Sequence, residues 1–573
     1  MSQLTTNTAA VPAGDATPPG PHRRPWWCWF TWADLALVPL ALGLVLMIRR
    51  AAYHHPLWLD EQMIARNIRD RGFLDLAGAL DYNQSAPLGW LWAQHALVSA
   101  FGTDEYVLRA LPLLAAVGTL VLAWLAGRRW LGPVGAVALV SLFVANASLL
   151  RYSAEVKQYT GDLFWTLLLL FLTMALLEKA RPTTRQYVTW WSVAALACLF
   201  SMGAMLATPV FAVVVVATAW LRAGWRTGFT QAFRAAWPFL IWLVVFGVHY
   251  LASLRYVVGS DFMAIFWGRR GYPPADAGKR ETLDWAWDRL QVLGTDPLHL
   301  SSPGTGAGYL KTAALVVWSL FLLGCLAAAY FRRPWSALLL GVPVLAYGLA
   351  FAEVVPLYMR MALWIVPCVY VAVACAMAAA AKLAVAAVHA LRGPARTSWR
   401  GGAALMGGLA GAVAVVTLAV LVAPLIKART APEPPPGLDE RAALAWLSTQ
   451  HRPGDMTIVL TASAHAVGWY ADDVLRPRAE PAHVPPKAGQ PCAGQTLGQL
   501  TDGYQRVILF GYTKKGEAAA TAAQLRTDLA ALGTVAAERD FGPAALTQII
   551  NLFPAARRGP TTGCYVAILG DVD

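Results

Sequence analysis

Charge is what this sequence is short of: 14% of its 573 residues are Asp, Glu, Lys or Arg, against 57% hydrophobic. A soluble domain of this length could not build a polar surface from so little, and the long apolar runs place the chain among polytopic membrane proteins. Acid is scarcer still, with 33 Asp and Glu to 46 Lys and Arg, a formal net charge of +13. That excess could suggest nucleic acid, but the cations fall in short clusters between apolar runs, so the partner expected is the bilayer and not a nucleic acid. The seven cysteines show no metal-ligand spacing, so no metal site is expected. Cys198, Cys325, Cys368 and Cys375 lie inside apolar runs, where they pack as small hydrophobes, and Cys492 and Cys564 are left as a possible disulfide. The first apolar run, about 31–48, lacks the small-residue cleavage site of a secretory signal and is expected to remain as an anchor. Residues 1–30 before it are rich in Pro, Ala, Thr and Gly and read as a disordered cytoplasmic tail.

Eleven transmembrane spans are expected: 31–48, then about 105–127, 134–150, 158–177, 188–204, 206–221, 237–254, 309–330, 335–352, 361–381 and 403–425. The short run from Pro87 to Phe101 is left out. Counting it would reverse the charge bias of both ends, and its length suits an interfacial or re-entrant helix. Charge supports the assignment. The inner loops carry fourteen Lys and Arg, among them Arg128, Arg129, Arg222, Arg234 and Arg333, and Glu178 as their one acid. This puts the N-terminus in the cytoplasm, the C-terminus outside, and the protein in the plasma membrane.

The outer segments hold most of the carboxylates. Residues 31–426 form the membrane domain and 427–437 a linker; the run APEPPPGLDE, which begins inside it, reads as stiff. In 438–573 the runs DMTIVLT, QRVILFGY and CYVAIL are strand patterns and GEAAATAAQLRTDLAALG is a helix pattern, so a small extracytoplasmic α/β domain is expected. The fold class is therefore mainly α, polytopic, with this domain appended.

The stretch His54–Pro87 draws the chemistry. Asp60 and Glu61 stand side by side at a membrane boundary, where carboxylates are costly unless a pocket, a partner or water receives them. From Leu59 to Phe73 the apolar positions Leu59, Met63, Ile64 and Ile68 recur at helical spacing with Glu61, Gln62, Arg66, Arg69 and Asp70 opposite, which describes a helix lying in the interface. An Asp at a helix start is often only a cap. But two acids are adjacent here, and a second outward acid, Glu155, recurs in RYSAEVKQY.

The segments LWLDE, DYNQSAPLGWLW, FGTDEYVLRALPLL and LLRYSAEVKQYTGD, in this order over residues 55 to 175, with PLYMRMALWIVP further on, resemble the family 39 branch of the GT-C glycosyltransferases, which includes protein O-mannosyltransferases and lipid A aminoarabinose transferases. The resemblance implies transfer of a hexosyl or pentosyl unit, with inversion, from a polyprenyl-phosphate-linked sugar to an extracytoplasmic hydroxyl of a cell-envelope glycan or lipid. It implies Asp60 as general base with Glu61 as neighbour or substitute, and Glu155 as the second acidic position. Arg269, Arg270 and Arg360 are the candidate donor-phosphate cations. Tyr82, Gln84, Tyr152, Lys157, Tyr159 and Tyr358 are the candidate substrate contacts. The bland readings are an Arg151 or Lys157 ion pair for Glu155, snorkelling for Arg360, solvated loop charges for Arg269 and Arg270, interface aromatics for Tyr152 and Tyr159, and plain packing for His249. No cofactor is expected; the outer loops carry no DxD, and a divalent metal is left open. The β-trefoil that protein O-mannosyltransferases carry is absent, which does not support a protein acceptor. The alternatives are a transporter or lipid flippase, which would need charges deep in its spans and repeated halves, and a non-catalytic scaffold. The long outer loop, about Leu254–Gly308, is expected to cover the donor cavity.

Overall fold

A computed structural model describes residues 31–392, 408 and 439–570, apart from 257, 259–260, 275–277, 301–306, 461–462, 472, 484–493, 513–516 and 543–544. The N-terminal tail, the linker, the span expected at 403–425 and Cys492 lie outside the described residues. Cys564 is disulfide-bonded.

The membrane domain runs α1 (Leu37–Ala52), α2 (Leu59–Asp70), α3 (Leu88–Phe101), α4 (Glu105–Ala126), α5 (Gly132–Ala145), α6 (Ala147–Tyr152), α7 (Tyr159–Glu178), α8 (Thr184–Phe200), α9 (Met202–Ala236), α10 (Phe239–Ala252), α11 (Asp261–Gly271), α12 (Lys279–Thr295), α13 (Ala307–Phe331), α14 (Arg333–Phe351) and α15 (Val366–Arg392). Their bounds follow the expected spans closely, but the count differs. Among the described residues seven helical stretches are long and apolar enough to cross a membrane: Trp32–Ala52, Glu105–Ala145, Tyr159–Glu178, Met202–Ala252, Lys311–Phe331, Arg333–Phe351 and Met359–His389. Two of these stretches, Glu105–Ala145 and Met202–Ala252, each take in two of the expected spans, and a non-helical glycine lies inside each, Gly132 with φ +69° and Gly224 with φ +74°. α8 has 17 residues, at the short end of what crosses a bilayer, and falls outside these seven. α3 has 14 residues, about 21 Å at 1.5 Å per residue, and does not cross.

The stretch Met359–His389 is the buried hub. α15 meets α13 at Gly324, where a Cβ would stand 1.9 Å from the carbonyl oxygen of Ala372. Backbone cannot yield as a side chain can, so Gly324→Val should separate these helices at a cost of about 1–3 kcal/mol, read as a lower melting temperature in detergent. At the start of α9 the buried Asp162 of α7 accepts from Ser201 Oγ at 2.6 Å and Gly203 N at 2.9 Å. This intramembrane carboxylate thereby caps a neighbouring helix, a structural use for a charge placed inside a span.

The C-terminal domain is a six-stranded sheet of β1 (Met456–Val459), β2 (Arg478–His483), β3 (Arg506–Tyr512), β4 (Gly533–Glu538), β5 (Ala545–Leu552) and β6 (Tyr565–Gly570), in the order β4-β5-β3-β1-β2-β6. β1 pairs in parallel with β2 and β3, while β2–β6, β3–β5 and β4–β5 are antiparallel. The central β1 and β3 are buried on both faces, which is why they read as continuous apolar runs. β2, β4 and β5 were not legible: RAEPAH and GTVAAE carry no apolar run, and ALTQIINL mixes Thr, Gln and Asn among its apolar residues.

The two parts meet over α2. One face of α2 buries Ile64, Ala65 and Ile68 against Leu91, Leu108 and Val156. The helix was expected to lie in the interface with its polar face away from the core. Instead Glu61, Gln62 and Asn67 are also buried: Glu61 against Arg109 and Val156, Asn67 against the Asp81 backbone, and Gln62 beneath the C-terminal domain. Gln62 bonds Glu440, and Arg69 donates to the carbonyls of Gly468 (3.0 Å) and Trp469 (3.3 Å).

Candidate active site

The two acidic segments come together. Glu61 Oε1 accepts from the backbone N of Val156 at 2.6 Å, so the turn carrying Glu155 and Lys157 is tied directly to the first turn of α2. The remaining contacts separate the neighbours Asp60 and Glu61. Glu61, 1% exposed, also accepts from Trp58 N at 3.2 Å, as a helix-capping side chain, and from Arg109 Nη2 at 3.3 and 3.4 Å. Both of its oxygens are engaged, and burial raises its carboxyl above the usual carboxylate range although Arg109 opposes this. Glu61 is a brace, and the capping role weighed for Asp60 belongs to it.

Asp60, one helical residue earlier and so about 100° around the axis, points elsewhere. Its Oδ2 meets Arg360 Nη2 at 3.1 Å, with the two side chains 25% and 23% exposed. An ion pair this accessible holds by about 0–1 kcal/mol, and a strong anion could displace either partner. Arg360 stands on the segment Met359–Ile365 that leads into α15 and lies over the Tyr159 ring at 5.6 Å. Tyr159 packs edge-on against Tyr152 at 4.8 Å.

Glu155 accepts from Arg151 Nε at 2.7 Å, the ion pair foreseen as the bland alternative, while its Oε2 is buried with no hydrogen-bond partner. Lys157 Nζ donates to Gln84 Oε1 at 2.8 Å. Burial pulls its ammonium down to about 8, with Asp60 opposing the shift more than Glu61 or Glu155. Arg50, at the end of α1, completes the group electrostatically beside Glu155, Arg151, Arg109 and Glu61. Five cations, Arg50, Arg109, Arg151, Lys157 and Arg360, therefore surround three carboxylates, Asp60, Glu61 and Glu155, with Asp296 a fourth acid acting on Arg151 and Arg360. The site carries a positive balance at a membrane boundary, which suits an anion more than a second carboxylic acid.

The other expected contacts fall outside this group. Tyr82, with positive φ, lies edge-on to His465 of the C-terminal domain at 4.5 Å and under Arg66 at 5.1 Å. Tyr358 faces Trp267 and Arg289, the latter 5.6 Å above its ring. Arg270 is exposed and lies over Phe266 of its own helix, and the Arg269 side chain is outside the described residues. α11 still touches the Arg360 segment, through Gly271 O and Leu357 N at 3.0 Å. The long outer loop packs onto the segment before Tyr152: Asn146 donates to Pro297 O at 2.9 Å, and Ser148 Oγ meets His299 Nε2 at 2.8 Å. His249 is buried beside Cys198 and accepts from Leu88 N, as a packed histidine. Among the described residues no group of three His, Cys, Asp or Glu could hold a metal ion.

Sequence reasoning missed Arg109, Arg50 and the roof over α2. There Glu105 accepts from Tyr470 Oη and Arg441 Nη1, each at 2.5 Å, and meets His54 Nε2 at 3.0 Å; Tyr470 Oη accepts in turn from Leu57 N at 2.8 Å. Arg109 had a signal: a cation four residues after Glu105, one turn inside an apolar span, asks for a buried partner.

No family model matches the sequence, and no curated protein does. The structure is similar to ArnT from Cupriavidus metallidurans in the apo state, with a TM-score of 0.51 and 14% identity over 92% of this chain and 99% of that one. The same ArnT bound to undecaprenyl phosphate gives 0.48 at 15% identity, over 92% and 99%. Archaeal oligosaccharyltransferase AglB from Archaeoglobus fulgidus, in complex with an inhibitory peptide and a dolichol-phosphate, gives 0.46 at 13%, over 85% and 70%. The apo ArnT comparison shows a shared fold: the chain is a multi-pass membrane protein with a GT-C-like architecture.

Proposed function

We propose that this protein is an integral membrane glycosyltransferase that moves a sugar from a polyprenyl-phosphate carrier to a hydroxyl of a cell-envelope glycan or lipid, on the side of the membrane that bears the C-terminal domain. The observation that carries it is the partly open Asp60–Arg360 pair set in a net-cationic cluster at the membrane boundary. The donor phosphate takes Arg360 from Asp60. The freed carboxylate accepts the acceptor hydroxyl's proton as its oxygen attacks the anomeric carbon, and the bond from that carbon to the phosphate oxygen breaks. Single displacement inverts the centre. Charge gathering on the departing lipid phosphate falls between Arg360 and Lys157, fixed in place before the reaction. The family 39 resemblance supports the carrier class, and the Glu61 brace supports the register of Asp60 against the Glu155 turn. The test is direct: purified protein is given polyprenyl-phosphate sugars, hexosyl and pentosyl, with cell-envelope extract, and free polyprenyl phosphate is measured. No release above that of heat-treated protein from any of these donors would sink the reading.

A pH signature follows from Lys157. As its charge is lost through about 8, the KM for the donor should be flat below neutrality and about tenfold higher one unit above that value. Lys157→Arg, which cannot deprotonate in this range, should flatten the rise. A KM that climbs equally in both proteins would take Lys157 out of phosphate binding.

A further inference from the structure

A second charged cavity lies at the other end of α7, 20 residues and about 30 Å from Tyr159. It measures about 520 Å³ and is walled by the α7–α8 turn and by α9. Arg181, Arg222 and Arg234 line it with Thr183, Thr227 and Gln231, and its lining includes no Asp or Glu. Two of the guanidiniums are held in place by neutral groups. Arg222 donates to Leu177 O at 2.8 Å and Lys179 O at 3.0 Å, closing the end of α7, and Arg234 donates to Thr184 Oγ1 at 3.1 Å. Three cations converge here with no carboxylate in the wall to neutralise them.

α9 makes the cavity by bending. At Gly224 φ is +74°, a conformation that side chains disfavour, and the helix beyond it turns away from its first part. On that second part Trp225, Phe229 and Phe233, spaced by four, are 87%, 69% and 60% exposed and share one face. Arg234 lines the cavity on the same segment. This is an interfacial helix, apolar on one side and cationic on another. Beside the basic cavity, on the same α9, an apolar groove of about 560 Å³ is lined by Trp191, Val213, Val216, Ala217, Trp220 and Phe239. A cationic cavity next to an apolar groove at a membrane boundary matches one kind of ligand in two pieces.

The geometry points to a structural binding site for an anionic phospholipid on the membrane face opposite the acidic helix, its phosphate among Arg181, Arg222 and Arg234 and an acyl chain along Trp191 and Trp220. A free phosphate ion shares the headgroup chemistry but has no use for the groove. The full-length protein in mild detergent, titrated with phosphatidylglycerol or with phosphatidylcholine of the same chains and read by native mass spectrometry, tests this. We expect one phosphatidylglycerol held at least about tenfold more tightly than phosphatidylcholine. Arg181→Gln with Arg234→Gln should erase that preference, while Arg332→Gln with Arg333→Gln, at another basic loop, should leave it intact. A wild-type readout guards against misfolding of the variants: photoactivatable phosphatidylglycerol should label the segment 222–234. Equal retention of the two lipids, the same loss in the Arg332/Arg333 variant, labelling confined to other segments, or displacement of the lipid by millimolar inorganic phosphate would each overturn the proposal.

Discussion

Asp60→Asn should lower sugar transfer by about two to four orders of magnitude, the usual share of a positioned general base, while leaving the melting temperature nearly unchanged. The amide fills the same space and can still accept from Arg360, so the ion pair at 3.1 Å becomes a hydrogen bond from the guanidinium to a neutral amide oxygen, at little cost for a pair still partly exposed. What is lost is an oxygen that can take the acceptor's proton. The KM for the donor should fall or hold steady, because Arg360 no longer has a carboxylate to leave. Transfer at the wild-type rate in a folded Asp60→Asn protein would remove Asp60 from the chemistry, whatever the fate of the other residues.

One residue along, the outcome should reverse. Glu61→Ala strips Arg109 of its carboxylate in a site where the side chains are 7% and 1% exposed, and leaves the Val156 amide without an acceptor. Breaking a buried pair by removing one partner costs about 3–5 kcal/mol, because the remaining charge is stranded away from water. The expected result is a protein that melts many degrees lower or fails to accumulate, measured by thermal unfolding in detergent and by yield. Glu61→Gln, which keeps an acceptor for Val156, should fall between. A Glu61→Ala protein as stable as the parent would mean that the bracing does not hold the two acidic turns together.

The contrast between these neighbours marks the limit of what could be read from the residues. Periodicity placed α2 and found β1, β3 and the helix Glu517–Leu532, because apolar spacing reports which face is buried, while charge bias and length excluded α3 as a crossing. The family resemblance gave Asp60 as base with Glu61 as neighbour or substitute, since adjacency in sequence hides the rotation that sends one to Arg360 and the other to Arg109. Arg360 was legible as a lone cation in PLYMRM, but its partner 300 residues away was not. The polar face of α2 was read as lying in the interface because nothing in Glu440, Gly468 or Trp469 announces a membrane-side contact. The difference in span count is one of division: hydropathy separated 105–127 from 134–150 and 206–221 from 237–254, and each pair lies within one apolar helical stretch that a glycine of positive φ interrupts.

The roof over α2 sets an order of assembly. Leu57 and Tyr470 are bonded across 413 positions, so the ribosome delivers the acidic helix long before its cover. Until the C-terminal domain has folded, Glu105 has neither Arg441 nor Tyr470 beside it. The acidic helix is thus covered only after the C-terminal sheet has formed.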